Sequence, residues 1–385
     1  MAHGIVEHFG IEKAVLKHWL ATMESLYKDK PYHSKTHAAD VLQGVHFFLT
    51  TGGAAKFLSK LETFALLVAA IIHDVGHDGL TNSFHRTTMS SRAITFNDQS
   101  IQENFHLSTF FGHTLNNPEL DIFKTLPKDQ ILTIRGLIVD AVLETDMTKH
   151  FASISTFRTM VSKKGQSVEE WSNSSNRILN FLLHMADTSN PARPLGTAKM
   201  WANAVLEEWF QQGDRERQLG LPVSPQCCRD NTVLSATQVG FIKFVVLPQF
   251  QMASELLPEV KEHCLPTLLA NLNYWQALQD QAKQQETTSR TTSCEEGMRL
   301  GRRHSSHALG GHRRPSHHTL GDRQPPPCLS SSASAPSLGL STPALGSWAS
   351  APTLGPSVST QTPSSPFSTV NPEAMSAAQI LGLED

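Results

Sequence analysis

The C-terminal part of the chain contains almost no aromatic side chains. The sequence has 19 Phe, 6 Trp and 3 Tyr, yet only Trp348 and Phe367 follow residue 282. A segment with so few large apolar groups cannot offset the conformational entropy that is lost on ordering. We therefore expect one folded domain over residues 1–282 and a disordered tail, rich in Ser, Pro, Gly and Arg, over residues 283–385.

The chain also lacks a strong charge bias and a long hydrophobic run. A net charge of -3 and a pI near 6.7 give no general attraction to polyanions. The longest apolar run, residues 64–72, is far too short to span a bilayer, and the N-terminus shows no basic stretch leading into an apolar segment. These absences predict no nucleic-acid partner, no membrane span and a cytoplasmic location.

Alternating β-branched runs are scarce, and the pattern over residues 5–280 is helical, with apolar residues at spacings of three and four. Residues 62–72 are apolar all round, which predicts a helix buried among other helices. We expect an all-α, compact multi-helix domain. The amphipathic helices are predicted at 11–28, 129–147, 175–189 and 198–213.

Histidine and aspartate recur at spacings that suit a metal site. His33 and His37 are four residues apart and would share one face of a helix, and His73-Asp74-x-x-His77 repeats that spacing with a carboxylate between. Imidazole together with carboxylate suits zinc, whereas carboxylates and waters suit magnesium or manganese. With Asp187 in HMADTSNP, such a mixed cluster can hold two unlike ions.

Each of these elements has a simpler interpretation. A lone HxxxH pair is usually a surface or capping feature, and Asp187, near Asn190-Pro191, could cap a helix. HDxxH could be a variant of the HExxH zinc-protease helix. That alternative leaves His33, His37 and Asp187 unexplained, so the three elements together favour a metal-dependent hydrolase.

Over nearly all of residues 5–280 the sequence resembles the class I cyclic nucleotide phosphodiesterases. Several motifs occur in the order typical of that family. They are YHSKTHAADV (32–41), HDVGHDGLTN (73–82), NDQSIQENFH (97–106), LETDMTKH (143–150), ADTSNP (186–191), WFQQGD (209–214) and TQVGF (237–241).

The resemblance implies a role for each matching residue. The ligands of the tighter, zinc-like ion would be His37, His73, Asp74 and Asp187. Asp74 would bridge to a second ion, magnesium or manganese. The residues that hold waters on this second ion would be His77, Glu103 and Thr145. Asn82 would steady the loop after the HD motif.

A water shared by two divalent ions ionises near neutral pH and can attack phosphorus. His33 would be the general acid that protonates the leaving 3′-oxygen, giving a 5′-nucleotide. The residues that would bind the purine are Gln238, Phe241, Val205, Trp209 and Asn190. Asn190 resembles the residue at this place in cAMP-preferring members of the family, which favours cAMP. cGMP stays possible, because the Gln238 amide can present either a donor or an acceptor. Core packing is the alternative for these residues, above all for Val205.

The match has departures. Ser34 stands where the family has Asn, and Phe105 where it has the first His of an ENHH run, which affects hydrogen bonding near His33 and Glu103. Cys228 and Ala202 also differ from the usual residues. The family's domain begins with further helices, and we expect these to be missing upstream of the matched region.

Two other functions stay open: an HD-type phosphohydrolase of noncyclic nucleotides, and an inactive scaffold that senses cyclic nucleotide.

In the tail, Arg302-Arg303-His304-Ser305 and Arg313-Arg314-Pro315-Ser316 fit the RRxS pattern of basic-directed kinases. Phosphorylation of Ser305 and Ser316 could create a docking site for a tail-binding partner. A solvated basic linker is the alternative.

Overall fold

The protein is described by a computed structural model covering residues 2–304, with the side chains of residues 3–285. Within these residues the regular structure is helical and there is no strand. The α-helices are α1 (Ile5–Phe9), α2 (Lys13–Leu26), α3 (Lys35–Leu49), α4 (Lys60–Ile72), α5 (Asn82–Thr87), α6 (Ser91–Thr95), α7 (Ile101–Leu115), α8 (Lys128–Leu143), α9 (His150–Lys164), α10 (Val168–Trp171), α11 (Ser175–Asp187), α12 (Leu195–Gln218), α13 (Leu234–Phe241), α14 (Leu247–Leu256), α15 (Pro258–His263) and α16 (Leu265–His304). Short 3₁₀ turns lie at Ala2–Gly4, Ala54–Phe57, Met147–Lys149 and Asn190–Ala192, and a π-helical turn at Ile242–Val246. The prediction of an all-α domain is confirmed.

Helix α4 lies at the centre of the core. Ser59 and Glu62 form a reciprocal capping box that starts the helix, and every residue from Thr63 to Ile72 is buried. It packs against α3, α8 and α11. A helix with no polar face can be stable only inside such a layer, which confirms the prediction for residues 62–72.

The end of α4 delivers the first polar side chains into this core. His73 is the C-cap of the helix, and Asp74 follows it directly. Helix α3 crosses α4 and carries His37, while α11 packs on both and ends at Asp187. Three helices thus bring residues that are far apart in the sequence to one point.

The shared helical face predicted for His33 and His37 is wrong, and the same spacing at His73 and His77 is not helical either. Helix α3 begins at Lys35, with Ser34 as an extended N-cap (φ -121°, ψ 174°), so His33 precedes the helix rather than sharing a face with His37. His77 lies in a turn after α4, where its backbone N–H bonds the Asp74 carbonyl at 2.9 Å. Neither HxxxH spacing is a helical one, because α3 begins after His33 and α4 ends before His73.

The other boundaries shift by a few residues, as helix ends commonly do. Helix α16 runs to His304, so its backbone stays helical past residue 282, where the sequence suggested that the domain ends. Ser305 and Ser316 lie outside the described residues. Among the described helices, none combines the length and apolar character needed to cross a membrane.

Candidate active site

The four predicted metal ligands converge at the meeting point of α3, α4 and α11. His37 Nε2 is 3.0 Å from Asp187 Oδ1 and 3.6 Å from Asp74 Oδ2. His73 Nε2 is 3.1 Å from Asp74 Oδ2 and 3.5 Å from Asp187 Oδ1. One donor atom from each residue lies within 4.8 Å of the others. Two imidazoles and two carboxylates at this spacing can enclose one divalent ion.

The hydrogen bonding of His73 tests whether an ion fits. Its Nδ1 donates to the Ala70 carbonyl at 3.0 Å, so Nε2 is the nitrogen that faces the two carboxylates. Nε2 is buried and has no hydrogen-bond partner. A metal-ligating histidine usually has one ring nitrogen hydrogen-bonded to the protein and the other free for the ion, as Nδ1 and Nε2 of His73 are here.

The electrostatics of the cluster also fit a cation. Burial alone would raise the pKa of Asp74, but His73 and His33 outweigh it and hold that pKa well below its usual range. Burial likewise opposes a low pKa at Asp187, and the neighbouring imidazoles of His37 and His73 lower it. Both carboxyl groups are therefore ionised at neutral pH and present negative charge to one point.

Glu103 and Thr145, which are predicted to hold waters on the second ion, each have hydrogen-bond partners within the protein. Glu103 accepts from the Asn82 amide at 2.9 and 3.2 Å, and Asn82 in turn accepts from the Gln102 N–H at 2.8 Å. Asn82 thus ties α5, which follows the HD motif, to α7. Burial raises the pKa of Glu103 to about 7, although the hydrogen bonds from Asn82 act to lower it. The Thr145 hydroxyl donates to the carbonyl of Val142, near the end of α8, at 2.8 Å.

His33 is paired with Glu208, which the sequence had not suggested. The Nδ1 atom of His33 contacts Glu208 Oε1, while Glu208 Oε2 accepts the backbone N–H groups of His33 and Tyr32 at 3.0 and 3.1 Å. Burial lowers the pKa of His33, but Glu208 and Asp74 together raise it to about 9. His33 is therefore protonated at neutral pH in this geometry and can donate a proton from its free edge.

His77 stacks on His33, with ring centroids 3.9 Å apart and planes 23° apart. Its Nδ1 accepts the Gly79 N–H at 3.0 Å, which leaves Nε2 as the proton-bearing nitrogen of a neutral ring. Burial and the neighbouring His33 lower the pKa of His77 well below its usual range. His77 is accordingly neutral where His33 is charged.

A cavity of about 70 Å³ adjoins the cluster, and the five residues predicted to bind the purine all line it. Tyr32 and Trp201 line the same cavity, and their rings lie 4.6 and 5.7 Å from the ring of His37. The cavity and the metal cluster therefore share a wall. The residues from the prediction are Asn190, Val205, Trp209, Gln238 and Phe241.

The side chain of Asn190 is fixed at both ends. Its Nδ2 donates to Asp40 at 3.0 Å and its Oδ1 accepts from the Tyr32 hydroxyl. Asp40 forms a buried ion pair with Arg193 at 3.0 Å, and Asn271 donates to the carbonyls of Pro191 and Arg193, each at 2.8 Å. An ionised Asp40 only accepts hydrogen bonds, so it orients the amide of Asn190 with its oxygen away from Asp40.

Phe105, one of the departures from the family pattern, has a structural partner. The Arg92 guanidinium lies 3.5 Å from its ring centroid and also pairs with Asp78 at 3.4 Å. The ring packs against Gly76, where a Cβ atom would come within 2.9 Å of it and where φ is +76°. The other departure near His33, Ser34, makes no side-chain capping bond to α3.

Sequence reasoning missed Glu208, Tyr32, Asp40 and His106. His106 Nδ1 donates to the Val75 carbonyl at 2.7 Å and its Nε2 faces Asp74 at 3.7 Å. One signal could have found Glu208. It follows Trp201 and Val205 on the same face of α12, and a glutamate on an otherwise apolar helix face requires a buried partner.

Three comparisons bear on these observations. The family profile described as 3′5′-cyclic nucleotide phosphodiesterase matches residues 32–267. The rat dual specificity calcium/calmodulin-dependent 3′,5′-cyclic nucleotide phosphodiesterase 1B is 40% identical over 256 residues, which is 66% of this chain and 46% of that protein. A Drosophila melanogaster 3′,5′-cyclic-AMP phosphodiesterase, isoform F, is 40% identical over 266 residues, 68% of this chain and 40% of that protein.

The fold is similar as well. The crystal structure of the phosphodiesterase domain of the RhoPDE fusion protein from the choanoflagellate Salpingoeca rosetta superposes with a TM-score of 0.70 at 32% identity. The match covers 73% of this chain and 89% of that one. The chain thus spans less than half the length of these curated relatives, but most of a solved catalytic domain.

Proposed function

We propose, from the membership of this chain in the 3′,5′-cyclic nucleotide phosphodiesterase family, that it hydrolyses 3′,5′-cyclic nucleotides to 5′-nucleotides. The observation that carries the proposal is the shared wall of Tyr32 and Trp201 between the metal cluster and the cavity. A purine in the cavity would place its cyclic phosphate toward the cluster and toward His33. Cyclic and noncyclic nucleotides carry the same bases, so the family match rather than the cavity favours the cyclic substrates.

Two divalent ions, when bound, supply an activated hydroxide and neutralise charge on the phosphoryl oxygens. His37, His73, Asp74 and Asp187 would hold the tighter ion, with Asp74 shared between the two. The donor set of imidazole and carboxylate supports zinc at this position. The carboxylates of Asp74 and Glu103, together with waters that Thr145 and His77 would hold, would suit magnesium or manganese at the second position.

The residues of the chain then act on the substrate in separate roles. His33 delivers its proton to the departing 3′-oxygen, and Glu208 keeps His33 charged and oriented through two contacts, one with its ring and one with its backbone N–H. His77, neutral beside His33, would donate to a water rather than compete for that proton. Glu208 is therefore a positioning residue, whereas His33 is the catalytic acid.

We further propose that cAMP is the favoured substrate and that cGMP is accepted less well. Asp40 holds the nitrogen of the Asn190 amide, and the Tyr32 hydroxyl uses one lone pair of its oxygen. The second lone pair of that oxygen can accept from the 6-amino group of adenine. Guanine presents an acceptor at that position. Among the described residues no hydrogen bond fixes the Gln238 amide, which leaves room for either base.

The preference is tested by Asn190→Ala. We expect the ratio of kcat/KM for cAMP over cGMP to fall toward one, by about tenfold or less, since one hydrogen bond contributes about 1 kcal/mol. Thr237→Ala, at another residue that lines the same cavity, is the control and should leave the ratio unchanged. An unchanged ratio in Asn190→Ala would contradict the role of this amide.

The activity itself is tested with purified protein assayed on cAMP, cGMP and a noncyclic nucleotide, with zinc and magnesium supplied or chelated. We expect both cyclic nucleotides to give 5′-nucleotides, chelation to stop turnover, and His33→Ala to lower kcat by about 10²–10⁴-fold. Absence of turnover of both cyclic substrates with metals supplied would overturn the proposal.

Three proposals rest on the sequence alone. Ser305 and Ser316 are candidates for a basic-directed kinase, and mass spectrometry after kinase treatment should find phosphate on them; finding neither modified would remove the idea. A tail-binding partner would depend on that phosphate. The cytoplasmic location likewise remains a prediction.

A further inference from the structure

A second set of donors converges beside the four-residue cluster. One atom each from His33, His77 and Glu208 lies within 4.8 Å of the others. Two imidazoles and one carboxylate form the donor set of three-ligand zinc sites, in which the fourth position belongs to water. None of the three belongs to the cluster of His37, His73, Asp74 and Asp187.

The hydrogen bonds around these residues leave the right atoms available. The Gly79 N–H occupies His77 Nδ1, so Nε2 is the nitrogen that His77 can offer. Two backbone N–H groups occupy Glu208 Oε2, so Oε1 is left, and it faces His33 Nδ1. An ion bound here would take the place of the proton that His33 and Glu208 share.

We propose that the cradle formed by His33, His77 and Glu208 binds an additional transition-metal ion of the zinc type, and that this ion inhibits the enzyme. The inhibitory part rests on the proposed function. An imidazole that holds a metal through Nδ1 keeps its Nε2 proton but cannot become an imidazolium, so the acid that protonates the leaving oxygen is lost. Nitrogen donors favour zinc over magnesium, so excess zinc inhibits and excess magnesium does not.

The test counts bound ions and turnover on the same samples. Holoenzyme supplied with magnesium is titrated with Zn²⁺, freed of unbound metal, and analysed for zinc per chain; Co²⁺ replaces Zn²⁺ in a parallel series read by visible absorption. The variant is Glu208→Gln, which keeps an oxygen for the two backbone N–H groups but removes the anionic ligand. The matched control is Glu207→Gln, on the same helix, whose side chain is 45% exposed and pairs with Arg229.

We expect one zinc more per chain in wild type and Glu207→Gln than in Glu208→Gln, and loss of turnover in the first two as that ion binds. The residual turnover of Glu208→Gln should not respond to zinc. His77→Gln, which removes a different ligand, should also lack the additional ion, and thermal melts verify that each variant is folded.

Equal zinc content in wild type and both ligand variants would overturn the inference, and so would binding of the additional ion with turnover unchanged. The two proposals fail separately. If no cyclic nucleotide is turned over at all, the proposed function is wrong, while the ion count still decides whether the cradle binds metal.

Discussion

The pairing of His33 with Glu208 makes a prediction at the scale of single residues. The general acid works only when protonated, so turnover should be level below the pKa of His33 and fall as the pH rises through it. Glu208 and Asp74 raise that pKa to about 9. In Glu208→Gln the anion is gone, and the alkaline limb of the kcat profile should move to lower pH.

The measurement is kcat against pH for wild type, Glu208→Gln and the control Glu207→Gln. A merely structural role for Glu208 would lower kcat equally at every pH and leave the limb in place. That result would remove Glu208 from the positioning role.

At this scale, short sequence motifs predict which residues lie close together in the folded chain. The residues assigned to the metal and to the purine lie together in the structure. Glu208 could not be predicted in the same way, because its contact with His33 spans 175 positions and is created only by the packing of α12. The capping of α3 at Ser34 was also misjudged, since the spacing of two histidines does not reveal where a helix begins.

At the scale of elements, α16 holds the loop that carries Asn190. Asn271 on this helix is buried and donates to two carbonyls of the loop, those of Pro191 and Arg193. Asn271→Ala leaves both carbonyls unsatisfied, so we expect the free energy of unfolding to fall by about 2 kcal/mol. KM for cyclic nucleotides should rise more than kcat changes, because the loop supports binding.

Denaturant unfolding and steady-state kinetics check this prediction. Asn273→Ala, at an exposed residue two positions further on the same helix, is the control and should change neither quantity. A loss of stability with KM unchanged would mean that α16 does not position Asn190.

The helices themselves follow from the sequence to within a few residues. Helix α4 is predicted because its residues are apolar on every side, and α11 because its apolar residues recur at helical spacing. The extra turns of α12, which runs over Leu195–Gln218 rather than 198–213, contain polar residues whose partners come from other segments. Glu216, for example, accepts the Ser224 N–H at 2.6 Å.

At the scale of the whole molecule, metal binding and stability should be linked. The cluster joins α3, α4 and α11 through buried groups, and ions that bind only the folded chain stabilise it by mass action. At a free metal concentration about 100 times the Kd the gain is about 2.7 kcal/mol. Chelation should therefore lower the Tm, and added zinc should restore it. A Tm that does not respond to either would argue against an ion in the core.

The most direct test of the central claim measures metal content and cyclic nucleotide turnover on the same preparation of Asp187→Asn. We predict loss of the tightly bound ion together with loss of turnover, while Asp129→Asn, at an exposed aspartate of α8, keeps both. Wild-type turnover in Asp187→Asn, or turnover in a sample free of divalent ions, would contradict the account.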